Sequence, residues 1–197
     1  MGRPSMAEQR RAEILAAVGR CVARYGVAGT TLERVSSESG LSRGHVRHYL
    51  GNRDELILAF VDQVFANGDY AMDSARAAAP VGGQSKALIG ILFGPAWEPA
   101  DDNPAIDALL SAAATDESLS GRMRLVYLEL ESTMTKALRA DFPSAPSALC
   151  IQTSYALLSM AFGNSTLSQL GFPANRRKAA RVMAEALLEQ VSRYEQP

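Results

Sequence analysis

The side chains best equipped for chemistry fall in one short run. Arg43, His45, Arg47, His48, Tyr49 and Arg53 all lie within twelve residues that begin at Ser42. A guanidinium can donate two parallel hydrogen bonds to guanine N7 and O6 or to a phosphate, and imidazole and phenol groups can add single bonds. His45 and His48 stand three apart, but no third metal ligand lies near them, so no metal is expected. Cys21 and Cys150 are far apart and belong to no CxxC or Cys/His spacing; both are read as small core residues, Cys21 in the first helix and Cys150 in the eighth. The chain has no P-loop, no GxGxxG after a strand, no HExxH and no GxSxG, and its only histidines are these two. No catalysis and no cofactor are expected. Polyanion recognition remains.

The elements that must position this run are helices. Ile14, Leu15, Val18, Val22 and Tyr25 recur at helical steps and give a first helix one apolar face, with Gly26 ending it. Thr30-Thr31-Leu32-Glu33 reads as a capping box with Thr30 as N-cap, opening a second helix over about 31–39. Gly40 breaks that helix, and Ser42 caps a third through about Tyr49. Two short helices joined by a tight glycine turn make a helix-turn-helix. On the third helix Val46 and Leu50 should face inward, while Arg43 and Arg47, also four apart, share the outer side. Asn52 then caps a long fourth helix, with Asp54 and Glu55 near the positive end of its dipole.

Further helices are expected over about 85–93, 104–114, 118–140, 147–170 and 174–194, with Pro95, Pro99 and Pro104 forbidding a regular helix between the first two. No period-2 strand and no repeat of 20 to 50 residues appears. The expected fold is all-α, with about nine helices: a three-helix head over 1–53 and a helical body over 54–197.

The charge supports that division. The 197 residues carry a net charge of −1 and are 47% hydrophobic, enough for a buried core. Residues 1–53 hold nine arginines against four glutamates, a balance of +5, and the rest hold 11 basic against 17 acidic residues, a balance of −6. A basic head confines polyanion contact to the first quarter of the chain. No apolar stretch approaches the ~20 residues needed to cross a bilayer, and Met1-Gly2-Arg3-Pro4-Ser5 leads into charged residues, so a soluble cytoplasmic protein without a membrane partner is expected.

The stretch from Gly26 through Leu56, and above all Gly40-Leu41-Ser42-Arg43-Gly44-His45-Val46-Arg47-His48-Tyr49-Leu50-Gly51-Asn52-Arg53-Asp54-Glu55-Leu56, resembles the DNA-binding signature of the TetR family of bacterial transcriptional regulators. Residues 155–172, with the His48-Tyr49 pair, are more similar to the choline-responsive BetI branch than to others. The resemblance implies a homodimer on double-stranded operator DNA, in most cases a repressor released by a small-molecule effector; a regulator acting as activator, or a helical interaction module without DNA binding, is the alternative.

DNA contact is accordingly expected from Thr30, Thr31, Ser42, Arg43, Gly44, His45, Arg47, His48, Tyr49 and Arg53. Phosphate positioning by Thr31, Tyr49 and Arg53 is what the resemblance implies, and helix N-termini suit anions. Family members often carry tyrosine where this chain has Arg47, and small alanines where it has Ser36 and Ser39. In the body, Phe65, Met72, Leu92, Phe93, Trp97, Met123, Tyr127, Met134, Tyr155 and Phe162 are the large, deformable side chains that could line an effector pocket, or plain core. The acidic excess and the aromatic set there would suit a cationic or amphipathic ligand. Tyr155, Leu158, Phe162, Val182, Met183, Ala186, Leu187 and Val191 form stripes on the last two helices that could build a four-helix dimer interface or pack inside the monomer.

Overall fold

The computed structural model describes residues 5–94 and 103–195, which form nine α-helices and a final 3-10 turn, with no strand among the described residues. The helices are α1 Met6–Gly29, α2 Leu32–Ser39, α3 Arg43–Leu50, α4 Arg53–Ala78, α5 Gln84–Leu92, α6 Asn103–Ala113, α7 Glu117–Asp141, α8 Ser147–Ser168 and α9 Ala174–Ser192. Trp97, with Pro95 and Pro99, lies outside the described residues. No helix is long and apolar enough to cross a membrane.

The chain divides into two compact units that do not follow chain order. The first comprises residues 1–66 and 101–126, the second 67–100 and 127–197. Residues of α4 and α7 therefore belong to both.

In the first unit α1 packs against α2, α3 and α6. Its core is four of the five residues anticipated for the apolar face of α1, Ile14, Leu15, Val18 and Val22, joined by Val35, Val46, Leu50, Leu56, Ile57, Phe60 and Val61, all buried; the fifth, Tyr25, is exposed, with the Arg24 and Arg34 guanidinium groups over its ring. Gly19 makes the closest approach: a Cβ there would come within 2.9 Å of the Phe60 ring, so glycine is what lets the ring lie against α1.

Local signals set most helix ends, with two differences from the expected pattern. Gly26 interrupts α1 at φ 68°, ψ 174°, but helix resumes beyond it to Gly29. The cap of α2 is Thr31, whose side chain accepts from Arg34 N, and the expected Thr30–Glu33 capping box does not form. The reason is tertiary. Thr30 is completely buried and its hydroxyl donates to Gly26 O at 2.8 Å, closing the break in α1. A capping box forms instead at α1, between Ser5 and Glu8, and another at α4, where Asn52 Oδ1 accepts from Asp54 N and Glu55 N while Glu55 accepts from Asn52 N.

In the second unit Met72, Leu88, Ile89, Leu92, Leu130, Met134, Leu138, Cys150, Leu157, Leu158, Ala161, Leu188 and Val191 form the core. Two polar devices cross it. Asp141, in the last turn of α7, accepts from Gln84 N, Ser85 N and Ser85 Oγ and so caps α5 from 56 residues away. Thr135 Oγ1 donates to Ser154 Oγ, which donates to Cys150 O, satisfying two buried hydroxyls between α7 and α8. Both cysteines are free and buried, and burial pushes each thiol's pKa up, Cys21 and Cys150 alike.

Candidate nucleic-acid interface

The helix-turn-helix is held from within by serines. Gly40 ends α2 at φ 70°, in the left-handed region that glycine enters at no steric cost. Ser36 Oγ donates to Leu41 O, Ser39 Oγ donates to Ser36 O, and Leu41 N donates to Ser39 Oγ. Ser36 and Ser39 therefore brace the turn through hydrogen bonds. Ser42 then caps α3: its Oγ accepts from His45 N at 3.2 Å and lies 3.0 Å from His45 Nδ1. At the far end Arg11 Nη1 donates to Tyr49 O, and Gly51 turns the chain at φ 79°.

These constraints fix which side of α3 faces out. Val46 and Leu50 are buried in the first unit, whereas Arg43, Gly44, His45, Arg47 and His48 are exposed and Tyr49 is half-buried beside the edge of the His48 ring. A Cβ on Gly44 would meet only Ser42 Oγ, at 3.8 Å, so nothing in the protein requires glycine there. An exposed helix position without a side chain is what close approach of a duplex would use. The Arg47 side chain forms no hydrogen bond or ion pair among the described residues, although its carbonyl accepts from Gly51 N at the end of α3. Arg43 does: its Nη1 lies 2.8 Å from Glu33 Oε1 on α2. The hydrogen bond from Glu33's own backbone N–H is the main cause that holds that carboxyl below its usual pKa; desolvation opposes it, and Arg43 and then the Thr31 hydroxyl add smaller lowering effects.

Two members of the expected DNA-contact set are placed otherwise. Thr30 is buried with its hydroxyl proton in a bond to Gly26 O, so it has no exposed donor to offer a phosphate. Arg53 Nε donates to Thr30 O at 3.0 Å, its Nη2 to Val27 O at 2.6 Å and its Nη1 to Asp54 Oδ1 at 2.7 Å. Its guanidinium is spent on tying α4 to the end of α1. Thr31 is half-buried at the α2 N-terminus, where its oxygen accepts from Arg34 N.

The body residues sort into distinct environments. Of the expected pocket set, Phe65 and Met123 are buried in the first unit; Met72, Leu92 and Met134 are buried in the second, and Phe93, Tyr127 and Phe162 are half-buried there, Tyr127 edge-on to Phe162. Tyr155 is 67% exposed on α8 and lines no interior space. A cleft of about 230 Å³ in the second unit has a different lining: Asp69 and Asp73 from α4, and Glu129, Ser132, Thr133 and Lys136 from α7. Burial, then the charges of Glu129 and Asp73, raise the pKa of Asp69. The i, i+4 spacing of Asp69 and Asp73 was legible, but a search for large apolar side chains passes over it.

Of the expected interface set, Tyr155, Val182 and Met183 are exposed, Phe162, Ala186 and Leu187 are half-buried, and Leu158 and Val191 are buried in the second unit's own core. Leu158 and Val191 are thereby corrected to core, since the second unit's own packing buries both. Ile151, Leu167, Leu170 and Phe172 are exposed apolar residues absent from that set; Ile151 precedes Tyr155 by one helical turn, a spacing that could have found it.

No family model matches the chain. Over 50 residues it is 42% identical to the HTH-type transcriptional repressor AcnR of Corynebacterium jeikeium, covering 25% of this chain and 26% of that protein. Over 79 residues it is 37% identical to the HTH-type transcriptional regulator BetI of Burkholderia mallei, covering 40% of each. The chain thus spans about a quarter to two fifths of the length of these curated relatives. Solved structures align over nearly the whole chain. A putative transcriptional regulator from Pseudomonas aeruginosa superposes with a TM-score of 0.80 at 22% identity, covering 95% of this chain and 92% of that one. A TetR transcription regulator from Haloarcula marismortui does so at 0.79 and 20%, covering 92% and 97%, and a TetR-family regulator from Streptomyces coelicolor at 0.76 and 19%, covering 93% and 96%. With helix order, turn and whole-length superposition in agreement, the chain has the all-α fold of the TetR-family transcriptional regulators.

Proposed function

We propose that the chain is a sequence-specific DNA-binding transcriptional regulator of the cytoplasm, a repressor that binds its operator as a homodimer and leaves it when a small-molecule effector occupies the body. The observation that carries this reading is the outer face of α3: Arg43, His45, Arg47 and a sterically unneeded Gly44 exposed over the buried Val46 and Leu50. Laid in a major groove, such a helix presents its N-terminal residues to base edges. Arg43 and Arg47 suit guanine, while Ser42, His45 and His48 add shorter donors, and Thr31 and Tyr49 position phosphates.

Two recognition helices must reach half-sites about 34 Å apart, one DNA turn, which a dimer supplies. The exposed apolar residues Ile151, Tyr155, Val182 and Met183 of α8 and α9 support that assembly. Because α4 belongs to both units, a shift of its second half on effector binding is the route by which the body can move the heads. The coupling is reciprocal, so operator DNA must weaken effector binding by the same factor.

Gel shifts at low salt with promoter fragments flanking the protein's own gene test the reading. A fragment that binds at tens of nanomolar or better while random DNA of equal length does not supports it. Equal weak binding to every fragment, or none, would refute it.

A further inference from the structure

This inference rests on the regulator reading and concerns how α3 discriminates between DNA sequences. The two guanidinium groups on its outer face differ. The Arg47 side chain has no partner among the described residues, whereas Arg43 is paired with Glu33 across the α2–α3 angle at 2.8 Å. Other arginines of the first unit are spent on the fold: Arg20 is bonded to Glu38 between α1 and α2, and Arg53 to the end of α1. The Glu33–Arg43 pair is more exposed than the Arg20–Glu38 pair. Its side chains are 58% and 64% exposed, and pairs so exposed add little to stability.

The carboxylate is held beside Arg43 by its place in the fold. Glu33 lies in the first turn of α2, where the helix dipole favours an anion, and α2 packs against α3. An anchored anion beside an exposed arginine does two things. It fixes the direction of the guanidinium while leaving most of its five donors free. It also offsets the positive charge with which the guanidinium would attract a phosphate on DNA of any sequence.

We propose that Glu33 is a specificity-determining residue that positions Arg43, orienting its guanidinium for a base edge and withholding it from the phosphates of unrelated DNA. Arg43 thereby contributes to sequence reading more than to general affinity. Glu33→Gln releases it as a free cation.

The test measures fluorescence anisotropy of the parent protein, Glu33→Gln, Arg43→Ala and the double variant. Two duplexes are used across a salt series, an operator selected by the parent and a scrambled duplex of equal length. Glu33→Gln should bind the scrambled duplex about eightfold more tightly at 0.1 M salt, the counterion-release value of one further neutralised phosphate, with a salt slope steeper by about 0.9. The ratio of operator to scrambled affinity should fall, with thermal stability unchanged. In the Arg43→Ala background the same substitution should change scrambled binding by less than about twofold. An unchanged ratio and slope for Glu33→Gln would overturn the proposal. So would equal tightening in both backgrounds, because Glu33 would then act by its own charge and not through Arg43. If the parent selects no operator the regulator reading itself fails; if it does and Glu33→Gln behaves as the parent, only this inference fails.

Discussion

Replacing Arg53 by alanine separates two roles that sequence patterns confuse. At the N-terminus of α4 an arginine would ordinarily be assigned to a phosphate, yet here its Nε and Nη2 donate to Thr30 O and Val27 O and its Nη1 to Asp54. A hydrogen bond from a charged donor contributes ~1.5–3 kcal/mol. The Asp54 pair is exposed on the acid side and contributes at most ~1 kcal/mol. With the side chain 36% exposed, water replaces part of what is lost at the two carbonyls, and a net cost of about 2–3 kcal/mol follows. For a chain of this size that lowers the melting temperature by roughly 5–10 °C. Arg53→Lys should recover less than half, because an ammonium cannot reproduce the planar fork on two carbonyls. Differential scanning calorimetry gives the stability, and a salt titration of operator binding with the folded variant gives the number of phosphates neutralised. The expected result is a large thermal shift with a salt slope changed by less than about 0.3; an unchanged melting temperature with a slope reduced by about 0.9 would mean that Arg53 faces DNA and that its bonds to α1 are dispensable.

Other perturbations follow from the same geometry. Asp141→Ala removes the acceptor for two α5 amides and strands the buried Ser85 hydroxyl, at a cost of about 3 kcal/mol; hydrogen exchange should show the first turn of α5 losing protection first, and unaltered protection there would refute the cap. Asp69→Asn should raise the melting temperature at pH 7. The raised pKa of Asp69, set by burial and by Glu129 and Asp73 with Lys136 across the cleft, means that ionisation costs the fold stability above the folded-state pKa. That cost is relieved as pH falls through the folded pKa, so the gain should fade towards about pH 4, and a gain equal at both pH values would contradict it. Tyr155→Glu combined with Val182→Glu, both at exposed positions, should halve the mass seen by sedimentation; operator affinity should fall by about 10²-fold or more as the second head loses its tether, whereas an unchanged dimer would move the interface elsewhere.

The recognition helix was legible because its determinants are local: Gly40, Ser42 and Gly51 bound it, and Val46 and Leu50 four apart orient it. Thr30 and Thr31 show where local reasoning loses a residue. Either can cap α2 by spacing, and the choice falls to Thr31 because Thr30 is drawn into the core to meet Gly26 O. Arg53 and Asp141 act on partners 23 to 26 and 56 to 57 residues away, and nothing in their neighbouring sequence announces such partners. The last helices were ambiguous for a different reason. Helix α8 is apolar on several sides, so periodicity cannot tell the face that buries Leu157, Leu158 and Ala161 from the one that exposes Ile151, Tyr155 and Leu167. The acidic cleft at Asp69 is lined by no aromatic or methionine side chain, so the size and polarisability that mark a pocket-lining residue in a sequence are absent from it.

The central claim, that the outer face of α3 reads DNA sequence, is tested most directly by selecting bound duplexes from a random library and measuring the affinity of parent and Arg43→Ala for the winner and its single-base variants. The expected winner is a two-fold symmetric motif with half-sites about one helical turn apart, bound at least ~10³-fold more tightly than random DNA. Arg43→Ala should lose ~1–3 kcal/mol of discrimination at one base pair per half-site. A library that enriches no motif, or a motif whose preferences are untouched by Arg43→Ala and Arg47→Ala alike, would contradict it.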